Sequence, residues 1–161
     1  MDNLVLDTTF TAEGAEPVTL ADAKAWLKVD IADDDLLITE LITTARQDCE
    51  AYLCISLIPR TITAYLQIGL GEIRLPYGPV DVITTVTDLD GNVIDYITKY
   101  ETFKALDPVT EVKAVYTSLG MGAKFKTAVL KQLAFLYEHR GDDVELNTEV
   151  MRQLKPHRRV T

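Results

Sequence analysis

The chain has 161 residues, 47% apolar and 25% charged, a composition that excludes the disordered, collagen-like and disulfide-scaffold classes. Lys and Arg number 16 against 25 Asp and Glu, a net charge of −9. All of that excess sits in residues 1–54, with 12 acids and three bases, while the rest balances at 13 and 13, which argues against a general DNA binder neutralising phosphates.

Residues 1–16 show no sustained period and read as an N-terminal arm, with a short extended piece at Leu4-Val5-Leu6. Thr19 followed by Asp22 is a capping-box start, and the helix it opens covers about 19–29, with Leu20, Ala23, Trp26 and Leu27 on one face. An acidic turn, Asp30 to Asp35, leads into a second helix over about 34–53. Ile38, Leu41, Ile42, Ala45, Cys49, Tyr52 and Leu53 recur at steps of three and four, and Glu40, Thr43, Arg46, Gln47 and Glu50 fill the opposite face.

Pro59 changes the texture to β-branched and aromatic residues with turns between short runs. Strands are expected at 61–68, 72–75, 81–88, 93–98 and 111–117, with a type I′ turn at Asp90-Gly91. Their connections are too short for crossovers, so this β module, about 61–119, is antiparallel. Helical texture returns at about 123–140, where only Lys131 and Gln132 are polar between Ala128 and Tyr137. A helix this apolar all round is covered on more than one side: it is the bundle's own centre, or Leu130, Phe135 and Tyr137 belong to a subunit interface. A short helix at about 146–154 follows, then a basic tail, 155–161. The fold class is α+β: a small helical bundle of three main helices and a short C-terminal helix, one domain over 17–154, with an inserted antiparallel β module.

No catalytic, metal or cofactor site is expected. Asp30, Asp33, Asp34 and Asp35 miss EF-hand spacing, since the sixth position from Asp30 is Asp35 rather than glycine. They read instead as N-capping and dipole compensation for the second helix. Gly120-Met121-Gly122 lacks the phosphate-loop pattern and reads as a flexible joint. The two histidines, His139 and His157, and the serines Ser56 and Ser118 form no recognisable triad. Cys49 and Cys54 fit no metal or redox spacing and read as reduced thiols of an intracellular protein. No apolar run is long enough for a membrane span, and Met1-Asp2-Asn3-Leu4 does not open a secretory signal.

Several separated blocks together resemble the phage gp6-like head–tail connector family. Glu16-Pro17-Val18-Thr19-Leu20 with Asp22-Ala23-Lys24, then Trp26-Leu27-Lys28-Val29-Asp30, is similar to its opening helix and acidic turn. Asp34-Asp35-Leu36-Leu37-Ile38, Ala45-Arg46 and Glu50-Ala51-Tyr52-Leu53 resemble its second helix. Ile73-Arg74-Leu75-Pro76 with Pro79-Val80, Leu136-Tyr137-Glu138-His139-Arg140 and Leu154-Lys155-Pro156-His157-Arg158-Arg159 resemble its later segments. Gly122-Ala123-Lys124 departs from the family's proline-containing loop, and His157 from its usual aromatic.

The resemblance implies an assembly role with no catalysis and no cofactor: a ring, commonly twelve-fold, below the portal of a tailed phage, prophage or phage-like particle. Such a ring extends the DNA channel and joins head to neck or tail; related connectors can be monomeric before they meet the portal. The implied partners are further copies of the chain, the portal protein and the next neck, stopper or tail protein, with packaged DNA passing through unread and no membrane. The implied location is the virion's head–tail interface, and the host cytoplasm during assembly. On this reading Asp30, Asp33, Asp34 and Asp35 face the channel, with a merely solvated acidic face as the competing reading. Lys155, His157, Arg158 and Arg159 dock on the portal, the tail ordering on contact. Rival readings are another neck or tail-completion protein, a small acidic enzyme, or a regulatory binding module.

Overall fold

Helix starts and stops follow the local chemistry. In the computed structural model, which describes residues 4–11, 13–68, 72–99, 101–106, 110–140 and 145–159, the Thr19 hydroxyl accepts the Asp22 N–H while the Asp22 carboxylate accepts the Thr19 N–H. This reciprocal cap opens α1, Leu20–Leu27, which ends at Lys28 in the left-handed region. Helix α2 is Asp35–Leu53, α3 is Gly122–Glu138 and α4 is Thr148–Leu154, followed by a turn of 3-10 helix, Lys155–His157. The strands are β1 Leu4–Thr11, β2 Arg60–Gln67, β3 Ile73–Arg74, β4 Val80–Thr87, β5 Tyr96–Lys99, β6 Thr102–Ala105 and β7 Glu111–Ser118. The fold is the α+β mixture expected.

The chain divides into two compact units, residues 1–14 with 58–120 and residues 15–57 with 121–160. The first is all β. Its larger antiparallel sheet has the order β1-β2-β7-β4 and its smaller one β3-β6-β5. β2 and β7 stay in register from Arg60↔Ser118 to Gln67↔Glu111. Alternation puts Ile62, Ala64 and Leu66 of β2 beside Val112, Ala114 and Tyr116 of β7 on the buried face, with Phe103, Ile73, Leu75, Val86 and Ile94 completing the core. The Tyr116 hydroxyl donates to the Pro76 carbonyl, which fixes the connector through Tyr77 and the cis Gly78–Pro79 bond.

Three features of this unit differ from the sequence reading. Leu4–Thr11, read as part of an arm, is an eight-residue strand on the sheet's edge. Its inner face, Val5, Thr8 and Phe10 opposite Leu66, Ala64 and Ile62, is only partly covered and is interrupted by the shift between Val5 and Asp7, so no clean apolar alternation marks it. β6 was not foreseen: it is four residues long and only Phe103 in it is buried. Asp90-Gly91 is not a type I′ pair, because of the two only Gly91 has positive φ. The loop is wider: Asp88 and Asn92 pair through the backbone, and the Asp88 carboxylate accepts the Asn92 backbone and side-chain N–H groups.

The second unit is helical. Ile38, Ile42, Ala45, Cys49 and Leu53 of α2 share its core with Phe125, Ala128, Val129, Leu133 and Leu136 of α3, and with Val150 and Leu154 of α4. Each fully buried Leu or Ile here is worth about 1.5–3 kcal/mol. Gly120, ahead of α3, and Gly122, its first residue, mark close packing rather than flexibility. A Cβ on Gly122 would lie 2.5 Å from Pro17 Cβ, and one on Gly120, in the β unit at φ +73, 2.6 Å from the Ile58–Pro59 backbone.

Candidate assembly surfaces

The acidic turn between α1 and α2 is half committed and half open. Lys24 Nζ donates to an Asp35 carboxylate oxygen and, at 2.8 Å, to the Ile31 carbonyl, tying the turn to α1. Asp34 stands at the N-cap of α2, yet its side chain makes no cap bond. It accepts instead from the Tyr137 hydroxyl of α3, with the Arg140 guanidinium 3.5 Å away. That bond to a carboxylate raises the Tyr137 phenol above its ordinary range. The expected capping role therefore falls away for Asp34, because α3 offers a stronger donor. Asp30 and Asp33 point to solvent, flanked by exposed Ile31 and by Leu36, which is 74% exposed.

The three residues proposed for a subunit interface do not share one surface. Leu130 is only 7% exposed and lies in the helical core, so it offers no face to a partner. Tyr137 is half-buried beside the same core. Phe135 is half-buried, its ring 4.3 Å from that of His139, and it lines a shallow depression of about 180 Å³ with Trp26, Lys131, Ala134, Glu138, Asn147 and Glu149. Lys131 crosses this depression to Glu149 at 2.7 Å and holds that carboxyl below its usual range. Trp26, assigned from sequence to the buried face of α1, is 45% exposed. In a helix of eight residues, Ala23 with Leu20 and Leu27 makes the contact with the core, and the indole lies at its margin.

The basic C-terminal segment is already seated as far as Arg159. The His157 ring meets Phe125 at 5.4 Å, the Arg158 guanidinium sits 5.1 Å over the Tyr52 ring, and the Arg159 N–H donates to the Leu53 carbonyl at 3.0 Å. Helix α2 has no basic residue of its own in its last turn, so these cations meet the negative end of its dipole. Lys155, His157 and Arg158 remain exposed. Residues 160 and 161 of the tail lie outside the described residues.

A charge centre unforeseen in the sequence organises the helical unit. Arg46, read as part of the solvated face of α2, is 1% exposed. Its guanidinium bonds Glu16 at 2.9 Å and Glu50 at 2.6 Å. Glu50 in turn accepts the Leu57 N–H, and Glu16 the Thr43 hydroxyl. Burial works against the Arg46 charge, but Glu16 and Glu50 outweigh it and raise its pKa. Arg46 and Glu50 at i and i+4 look like an ordinary surface pair; only Glu16, thirty positions earlier, distinguishes them. Gln132 of α3 is likewise buried, donating to Asp48 and accepting the Asn147 N–H ahead of α4. Burial raises the Asp48 carboxyl, against that bond, and pushes the Cys49 thiol up to about 12. Such a thiol is inert packing. Among the described residues no group of three His, Cys, Asp or Glu could hold a metal ion, and no helix is long and apolar enough to cross a membrane.

Comparison with known proteins gives the family and the fold. The family model described as phage gp6-like head-tail connector protein matches residues 17–118. No curated protein matches the sequence. Among solved structures, the chain is similar to one in the neck of an empty gene transfer agent particle computed with C6 symmetry, at 19% identity and TM-score 0.73 over 97% of each chain. A chain in the virion of the native gene transfer agent particle gives 19% identity and TM-score 0.72 over 100% of this chain and 97% of that one. One in the neck of the native particle computed with C12 symmetry gives 19% identity and TM-score 0.68 over 95% and 96%. At this identity the likeness is one of fold.

Proposed function

Because the chain belongs to the phage gp6-like head–tail connector family, we propose that it is a structural subunit of the neck of a tailed phage, prophage or phage-like particle. Copies assemble below the portal into a ring, with twelve subunits as in the C12 neck. The ring continues the DNA channel and receives the next neck or tail protein. The observation that carries this reading is the match of fold over 97% of both chains to a protein of a particle neck. The role is one of surfaces, with no catalysis and no cofactor.

Within the ring, exposed Asp30 and Asp33 line the channel, where negative charge keeps passing phosphates from adhering. Asp34 and Asp35 hold the turn in shape through Tyr137 and Lys24. Lys155, His157, Arg158 and Arg159 meet the portal as a pre-set basic edge. The subunit is made in the host cytoplasm and ends in the virion at the head–tail interface. Mixing the protein with its portal, followed by sedimentation and negative-stain imaging, tests the proposal. Annular particles containing both proteins are expected. Monomers that never co-sediment with portal would overturn it.

A further inference from the structure

The sheets of the β unit end in edges of unequal quality. In the larger sheet β4 is one edge and β1 the other. β4 loses register between Val80 and Ile83 and again between Ile83 and Thr85, and the Thr87–Val93 bridge folds the following chain back on its end. Irregularities of this kind blunt an edge against further pairing. β1 keeps register with β2 over Asp7–Thr11, with one shift between Val5 and Asp7. It contains no Lys and no Pro, the residues that most often guard an edge. In the smaller sheet β3, of two residues, is one edge and β5 the other, and β5 keeps unbroken register with β6 from Tyr96↔Ala105 to Lys99↔Thr102.

We propose that β5 of one copy adds to the outer edge of β1 of the next, so that sheet pairing crosses each subunit boundary. This rests on the ring reading above. The two edges are unlike, so the contact is head-to-tail, the kind that repeats round a ring rather than closing as a two-fold pair. Asp7 is the one charged side chain of β1 and Lys99 the one charged side chain of β5. Both are exposed, and among the described residues neither is in an ion pair. The Asp7 carboxylate accepts the N–H of its neighbour Thr8 at 2.7 Å. Addition also covers Ile97 of β5 and Leu4 and Leu6 of β1, all about half exposed. Main-chain bonds supply the attraction, while the opposite charges and apolar contacts select the register. A strand of four residues makes a contact that is weak singly, which suits subunits that assemble only in a closed set.

The test uses the full chain with its portal. Asp7→Lys and Lys99→Asp are made singly and together, folding is checked by far-UV circular dichroism, and ring formation is scored by sedimentation. Each single reversal is expected to raise the concentration needed for rings about tenfold, and the double reversal to return it to within about threefold of wild type. In parallel, Thr9→Cys/Ile97→Cys, the pair two residues on from Asp7 and Lys99 in an antiparallel register, in a Cys54→Ser background is treated with a short bis-maleimide, and a ladder of covalent oligomers is expected only where rings form. Wild-type rings with folded single variants assembling unchanged, a folded double variant that stays impaired, or rings without a ladder would each overturn the strand pairing while leaving the neck function standing. No wild-type rings at all would overturn both.

Discussion

Replacing Arg46 by methionine probes the charge centre of the helical unit. Methionine keeps the bulk of the stem and removes the guanidinium that bonds Glu16 at 2.9 Å and Glu50 at 2.6 Å. The Glu50 side chain is 4% exposed, so its carboxylate stays in a poorly solvated place without the charge that offset it. Removing one member of a buried pair costs about 3–5 kcal/mol. The Glu16 side chain can rehydrate, being 29% exposed, which puts the expected loss at the lower end, about 3 kcal/mol. For a chain of this length that is a fall in melting temperature of about 6–12 °C. Urea titration at neutral pH, followed by the fluorescence of Trp26, reads the right unit, because it is the one tryptophan and lies in the helical part. Adding Glu50→Gln removes the stranded charge and keeps an oxygen for the Leu57 N–H, so the double variant should sit within about 1–2 kcal/mol of wild type. The reasoning fails if Arg46→Met costs less than about 1 kcal/mol, or if the double variant is no better than the single.

Three further outcomes are expected. Asp22 is held at about 2 against an ordinary 3.8, chiefly by its hydrogen bond from Lys126 and then by Thr19. A depressed carboxyl stabilises the fold above its ordinary value and loses that contribution as pH falls through about 4 to about 2, so the melting temperature of Asp22→Asn should fall less steeply with pH across that window than that of wild type. Thiol titration at mildly alkaline pH should count fewer than two reactive groups in the native chain and two in urea, because buried Cys49 stays protonated while Cys54 is partly exposed; rapid native labelling of Cys49 would contradict its place in the core. Gly120→Ala puts a Cβ 2.6 Å from backbone at φ +73, and should destabilise the β unit by about 2 kcal/mol or more in chemical denaturation followed by circular dichroism.

What was legible in the sequence was whatever repeats locally. The step of three and four along Ile38, Ile42, Ala45, Cys49 and Leu53 named the inner face of α2, and each of these residues is buried. Thr19 and Asp22 announced their cap three positions apart. Strands with one buried face, β2 and β7, also declared themselves through alternation. What was hidden depends on partners far away in the chain. Arg46 is indistinguishable from a surface arginine until Glu16 arrives beside it. Asp34 looks like a helix cap until Tyr137 competes for it. The inner face of β1 is broken between Val5 and Asp7, so alternation does not advertise it, and β2 supplies its ladder. For the assembly surfaces the sequence located the acidic turn and the basic end but not their state. Two of the four acids are engaged, and Leu130 is consumed by the core.

The seating of the basic segment changes the energetics proposed for docking. A tail that orders only on contact loses conformational entropy at the moment of binding, about 1–2 kcal/mol per backbone residue fixed. Residues Lys155–His157 are already a turn of 3-10 helix, and the Arg159 N–H is already on the Leu53 carbonyl. Four or five residues are thus held before any partner arrives, and the cost avoided on binding is of order 5 kcal/mol. The same contacts place the basic side chains beside the negative end of the α2 dipole. Recognition by this edge is therefore that of a rigid basic surface, and its strength should depend on ionic strength more than on chain flexibility. Charge reversal at Arg158, whose guanidinium is exposed over Tyr52, acts on that surface directly and leaves the Arg159 tether in place.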